Sequence, residues 1–349
     1  MEKGIIIYGA YGYTGRLIAL EAKKKKVKVL LAGRSESKLA QLANELKLPF
    51  VVADIHHLDK LDSYLNDYAV IVNAAGPFIE TVDDIISYCL RHGLHYTDIT
   101  GEVEVFEKAK SYDGLAKEKG MMLMPGTGFD VVPSDCLAKY LSELLPDANT
   151  LELAFRGTGA SSHGTNLTVI QGLGQGGAIR REGQIVTVPY AYEVKKFDFD
   201  HPRMSAVTIP WGDISTAYHS TGIPNIKVFM SMPPNLIQWM KILNYLKPLV
   251  RNAWIQNLLK SIVKPGGPSD VEREKSRSYL VGEVRNSEGI SKRAQIDTVD
   301  GYTLTLQTAV LIAQKILKGQ FTPGFQTPSS AYGYKLVLEV ENTKLKDIA

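Results

Sequence analysis

Three glycines near the amino terminus constrain the fold of this chain more than any other feature. An unbroken apolar run, Ile5-Ile6-Ile7-Tyr8, leads straight into Gly9-Ala10-Tyr11-Gly12-Tyr13-Thr14-Gly15, and a helix-forming stretch starts near Arg16. A strand entering a glycine turn that opens a helix leaves backbone N–H groups at a helix amino end, with no side chains to block an approaching phosphate. The spacing is G-x-x-G-x-x-G rather than the usual G-x-G-x-x-G. The case therefore rests on position, with a purely structural glycine turn as the alternative.

The next hundred residues repeat the alternation. Strand candidates fall at 28–32, 50–53, 69–73, 95–99 and 121–124. Between them Leu39, Leu42, Ala43 and Leu46, and again Val82, Ile85, Ile86 and Cys89, recur at i, i+3, i+4 and i+7. This is the period of a helix with one buried face, and it makes Cys89 a core thiol. Thr81, three residues before Asp84, reads as an N-cap. Strands and helices in alternation imply crossover connections and a doubly wound parallel α/β sheet of the Rossmann type.

From about residue 150 the pattern changes to strand-like runs with few helices, at 151–155, 184–189, 192–197, 206–210, 226–230, 279–285 and 294–297. These predict a second, α+β domain built on a largely antiparallel sheet. A helix is expected over 302–318, with Ala309, Ile312, Ala313 and Ile316 on one face and Gly319 as its stop, and a last strand over 335–340. The domain division expected is 1–130 for nucleotide binding, completed by a segment near 320–349, and 131–330 for substrate binding or dimerisation.

Composition narrows the class. Forty basic against 37 acidic side chains in 349 residues leave a charge of +3, which on its own does not point to a nucleic-acid partner. A small molecule is the expected partner. Two cysteines, Cys89 and Cys136, make no disulfide framework. The four residues before the first strand leave no room for an export signal, and no apolar run reaches the ~18 residues of a membrane span, so a cytoplasmic location is expected. No metal is expected, for His56-His57 lacks further ligands at metal spacing.

The second strand ends in Gly33-Arg34-Ser35, with Lys38 one helical turn further. An NAD site places a carboxylate about 20 residues past the glycines, to hold the ribose 2′-hydroxyl; a guanidinium and a hydroxyl there suit a 2′-phosphate, and so NADP(H). The alternative for Arg34 is an ordinary surface ion pair. Asp54, after the third strand, is placed to hold the adenine amino group or to cap the next segment of chain. Asn73-Ala74-Ala75-Gly76-Pro77-Phe78, after the fourth, reads as the wall beside the nicotinamide ribose or as a simple strand-to-helix turn.

With these residues in view the sequence resembles the saccharopine dehydrogenase-like oxidoreductases, and within them the branch that includes the trans-acting enoyl reductases. The resemblance rests on 8–15, Gly33-Arg34, 73–78, Asp98-Ile99-Thr100-Gly101-Glu102 and Gly128-Phe129-Asp130-Val131-Val132-Pro133-Ser134-Asp135, with less diagnostic support at 176–183 and 324–328. It implies a Rossmann domain for NADP and a second domain that closes over it. A substrate carrying several carboxylates, as in true saccharopine dehydrogenases, would call for clustered arginines. Arg156, Arg180, Arg181 and Arg203 are instead scattered along the sequence. The apolar set Tyr190, Tyr192, Trp211, Tyr218, Phe229, Met230 and Met232 lines either a lipophilic pocket or a second core.

The expected activity is hydride transfer to a polarised C=C or C=O bond, the alternatives being a saccharopine-type imine, amino-acid or polyamine dehydrogenase, or a non-catalytic NADP-binding sensor or accessory protein. Reduction needs a proton, for which Tyr96, Asp98, Asp130 and the loop residue His163 are the candidates. Asp135 is read as stabilising a helix start. One further stretch, 236–264, is apolar, basic and free of acidic residues. It reads as a surface for a membrane or lipid, as part of a homodimer contact, or as cover for the sheet, broken into two helices at Pro248.

Overall fold

The computed structural model describes residues 3–159, 162–172, 175–199, 203–246, 252–263 and 266–348. The chain divides into two units, Met1–Val132 with Tyr302–Ala331, and Pro133–Gly301 with Tyr332–Ala349.

The first unit holds β1 (Gly4–Tyr8), β2 (Val29–Gly33), β3 (Phe50–Val52), β4 (Tyr68–Asn73), β5 (His95–Asp98) and β6 (Met122–Met124). They pair in parallel in the order β3-β2-β1-β4-β5-β6, and the two-residue strand Gly324–Phe325 extends the sheet beyond β6. Every residue of β1 and β2 is buried, as a parallel sheet covered on both faces requires. The covering helices include α1 (Tyr13–Lys24), α2 (Glu36–Leu46) and α3 (Val82–His92). The α2 residues that go into the core are the four expected from the helical period, Leu39, Leu42, Ala43 and Leu46. Cys89 on α3 is fully buried, and burial pushes its thiol pKa up. The strand order reverses between β1 and β4, and ligands of such sheets bind outside the carboxyl ends at that crevice.

The second unit carries a nine-stranded sheet. Its members are β7 (Thr150–Gly157), β8 (Gly177–Arg181), β9 (Gln184–Val188), β10 (Val194–Phe197), β11 (Met204–Thr208), β12 (Asn225–Ser231), β13 (Arg277–Arg285), β14 (Ser291–Val299) and a last strand, Lys344–Ile348. The path runs β10-β11-β12-β7-β13-β14 and on to Lys344–Ile348, with β8 joining β9 to β12. Among the described residues of this sheet only the β12–β7 pairing is parallel.

Three expectations need correction. Residues 335–340 are not a strand: Tyr334–Glu339 is a 3-10 turn that buries Leu336 and Val337, because a short apolar run without alternation does not distinguish strand from helix. The last strand is Lys344–Ile348, held by its ladder to β14 with no fully buried side chain. His163 is not in a loop; it opens the helix His163–Gly172, whose two glycines and weak periodicity hid it. The segment returning to the first unit is Tyr302–Ala331, and residues from Tyr332 onward belong to the second. The expected break at Pro248 and residues 160–161 of the loop before His163 lie outside the described residues.

Candidate functional site

The glycines of the first turn are required by contact. Gly9 has φ +80°, and a Cβ there would lie 2.7 Å from the amide nitrogen of Ala75, so the turn after β1 rests on the turn after β4. A Cβ on Gly15 would stand 2.4 Å from the Gly9 carbonyl oxygen, which forces the helix to start hard against the strand end. At Gly12, the N-cap of α1, the nearest atom to such a Cβ is the Gly9 oxygen at 3.3 Å. No side chain caps α1 and its first turn has no acidic residue. Among the described residues the amides of Thr14 and Gly15 have no acceptor. A helix amino end with open donors and glycine access suits a diphosphate.

One strand over, the Tyr11 ring lies on the Gly33 backbone, within 2.8 Å of where a Cβ would be, and the Lys38 ammonium sits 5.6 Å from the ring centroid. Arg34 and Lys38 are exposed, and neither has a carboxylate partner among the described residues. The surface ion pair that would have explained Arg34 is therefore not formed. Ser35 is the N-cap of α2, with its hydroxyl turned to Ser37 rather than to the helix. Asp54 accepts a hydrogen bond from the His56 amide at 3.1 Å, the capping alternative.

Beyond the crevice a buried polar chain ties three strand ends together. Asn73, at the end of β4, accepts from the Ala75 amide at 3.0 Å and donates to Thr81 at 3.0 Å and to the Tyr96 hydroxyl at 3.4 Å. Tyr96 donates to Asp98 at 2.6 Å. Asp98 accepts from the amides of Thr100 at 3.0 Å and Gly126 at 2.8 Å. Thr81 is the N-cap residue of α3, as expected, but its side chain makes no capping bond; its hydroxyl donates instead to the Ala75 carbonyl at 3.1 Å, bracing the 73–78 turn. Burial raises Asp98 to about 6 against those hydrogen bonds, and pushes Tyr96 well above the usual tyrosine value. Both side chains are fully buried, so neither presents an atom to a substrate, and their place is to hold the loops.

Asp130 differs. It follows β6 on a loop fastened by the helix Gly301–Leu317, where Thr305 accepts from the Phe129 amide at 2.9 Å and Thr308 donates to the Thr127 carbonyl at 2.7 Å. The carboxyl is partly exposed, and nothing among the described residues hydrogen-bonds it. A Cβ on Gly101 would fall 2.7 Å from Asp130 Oδ2, so glycine clears its place. Burial, with repulsion from Glu102, pushes Asp130 up to about 7. Glu102 is itself committed, accepting from the amides of Phe78 and Ile79 at 3.0 Å each, which pins the Gly76-Pro77-Phe78 turn. Asn73, Ala75, Gly76, Pro77 and Phe78 thus form one braced wall, with Asp130 following β6, two strands over in the sheet.

Residues 5–124 match the family described as the saccharopine dehydrogenase NADP binding domain. A trans-acting enoyl reductase of Mycobacterium ulcerans is 29% identical over 161 residues, 44% of this chain and 38% of that protein. A saccharopine dehydrogenase-like oxidoreductase of Mus musculus is 26% identical over 203 residues, 51% of this chain and 47% of that protein. The matches thus span less than half the length of these two relatives. Among solved structures, the apo saccharopine dehydrogenase (L-Glu forming) of Saccharomyces cerevisiae aligns with TM-score 0.67 and 13% identity over 99% of this chain and 100% of that one. At that identity the likeness is one of fold. The cofactor class of the matched domain is NADP(H).

Other expected residues belong to the second unit. His163, in the second unit, donates its backbone N–H to the Gly266 carbonyl at 2.8 Å. Asp135, in the first turn of the helix Val132–Leu144, accepts from Ser220 at 2.6 Å. Arg180 is buried, donating to the carbonyls of Ile214 at 2.5 Å and Gly183 at 2.6 Å and stacking on Tyr218, while Arg181 donates to Tyr192 at 3.1 Å. Phe229 packs in a core with Phe197 and Phe199, the structural alternative for that aromatic set. Sequence reasoning missed Glu102 as the brace of the wall, and Tyr302, whose ring meets Tyr13 edge-on at 5.1 Å. The acidic residue at the end of the Asp98–Glu102 stretch was the available signal for the first; the second contact, across 289 positions, had none.

Proposed function

We propose that the chain is an NADPH-dependent oxidoreductase reducing a polarised C=C or C=O bond of a small, lipophilic substrate, with Asp130 as the proton source. The observation that carries the reading is the Asp130 carboxyl, partly exposed, unbonded among the described residues and held near pH 7 by burial and Glu102. The open amides and glycine clearances of the first turn fit a diphosphate, and the unpaired Arg34 with Lys38 fits a 2′-phosphate. NADPH, when bound, supplies the hydride. Raised to about 7, the Asp130 carboxyl is poised between its two forms near neutral pH, the balance at which a carboxyl gives and regains a proton with least loss. The proton goes to the atom that gains negative charge as hydride reaches its neighbour, and Asp130 recovers one from solvent on its exposed side. Tyr96, Asp98 and Glu102 position the loops, and His163 has no assigned part.

Two observations favour a substrate with few carboxylates. Arg180 and Arg181 are already engaged with carbonyls and a tyrosine hydroxyl, which removes two cations that a saccharopine-like adduct would need. The name enoyl reductase, borne by one relative, agrees with reduction of C=C. The test is to follow NADPH absorbance with enoyl thioesters, ketones and amine-plus-oxoacid pairs. Oxidation is expected with the first or second set, falling by roughly 10²-fold or more in Asp130→Asn with NADPH binding kept. Turnover with the amine pairs alone favours the imine dehydrogenase; tight binding without turnover on any set favours an accessory NADP binder.

A further inference from the structure

The second unit carries two helices whose apolar faces are left to solvent. Along Pro234–Leu243 only Ile237 is buried, at 4% exposure, while Leu236, Trp239 and Ile242 recur every three residues on the open side. Along Ala253–Ser261 and just past it, Trp254, Leu258 and Ile262 recur every four. Trp239 is 61% exposed, Trp254 72%, and Tyr245, following the first helix, 87%. Apolar stripes this open on two helices are uncommon on a free surface and call for an occupant.

Charge identifies it. From Ile214 to Ser269 the sequence contains no Asp or Glu, while Lys241, Lys247, Arg251, Lys260 and Lys264 fall within 236–264. Lys241 and Lys260 make no ion pair with described residues. A second copy fits poorly, because a two-fold contact would set each cation near its own image, and interface centres are poor in lysine. Amphipathic indole and phenol rings beside unopposed cations are what the boundary of an anionic bilayer accepts. Among the described residues no helix is long and apolar enough to cross a membrane, so contact would be with the surface.

We propose that the helices Pro234–Leu243 and Ala253–Ser261 dock on an anionic lipid surface, inserting Trp239 and Trp254 at the headgroup boundary. The inference is independent of the proposed reduction. It is tested with the full chain and vesicles of phosphatidylcholine with and without phosphatidylserine. Binding is expected only with the anionic lipid, with a blue shift of tryptophan emission and quenching by brominated acyl chains. Lys241→Gln with Lys260→Gln is expected to weaken partition about 25-fold, from about fivefold per cation near the surface. Trp239→Ser with Trp254→Ser is expected to abolish the bromine quenching, while the far-ultraviolet spectrum of both variants stays unchanged. Equal binding to neutral vesicles, or none to anionic ones, overturns the proposal. So does a blue shift that grows with protein concentration without lipid and disappears in the tryptophan variant, which would assign the stripes to a dimer.

Discussion

Replacing Asp130 by asparagine removes one titration and leaves the shape of the side chain. An ordinary aspartate titrates at 3.8, and Asp130 in the folded chain at about 7. That gap is roughly a thousandfold tighter hold on the proton, or about 4 kcal/mol at full effect; the carboxyl's partial exposure to water discounts it to about 2. The folded state binds more protons than the unfolded state between pH 4 and 7, so this group's contribution to stability is complete below pH 4 and lost as pH rises through 7. Asp130→Asn should therefore match the parent at pH 4 and exceed it by about 2 kcal/mol at pH 8. Urea denaturation at half-unit intervals of pH reads the difference, and subtraction cancels Asp98, which is raised to about 6 in both proteins. Glu102→Gln should move the midpoint of that difference to lower pH, because it removes the neighbouring negative charge. A difference that is flat across pH 4–8 would refute the argument, since it would mean that Asp130 titrates like a solvated carboxyl.

Two further outcomes concern the cofactor end. Arg34→Ala should weaken NADPH by about 1.5–3 kcal/mol, the loss of a charge-assisted contact, and leave NADH within a factor of two, both read by calorimetry; equal losses would place the guanidinium elsewhere. Gly9→Ala combines a φ of +80° with a Cβ 2.7 Å from the Ala75 amide, and should cost about 1–3 kcal/mol in thermal denaturation and remove nucleotide binding together. Full binding in that variant would show that the turn after β1 is not the cradle.

Residues near one another in the sequence settled the general plan. The run 5–8 into the glycines, the i, i+3, i+4 pattern of α2 and α3, and Arg34 at the end of β2 were legible because a strand, a helix face and a βα turn are each defined within a few residues. The same locality misled at 335–340, where consecutive apolar residues suit two structures, and at His163–Gly172, where two glycines disguised a helix. Burial is set by residues far along the chain, and so only the fold could separate Tyr96 and Asp98, sealed and bonded to each other, from Asp130, two residues before the helix Val132–Leu144 and still open to water. It likewise brought Glu102 under Phe78, and Thr305 and Thr308 against 127–129. A carboxylate's letter in the sequence gives its charge in water; what its proton does depends on how much water the folded chain leaves around it and which other charge stands beside it.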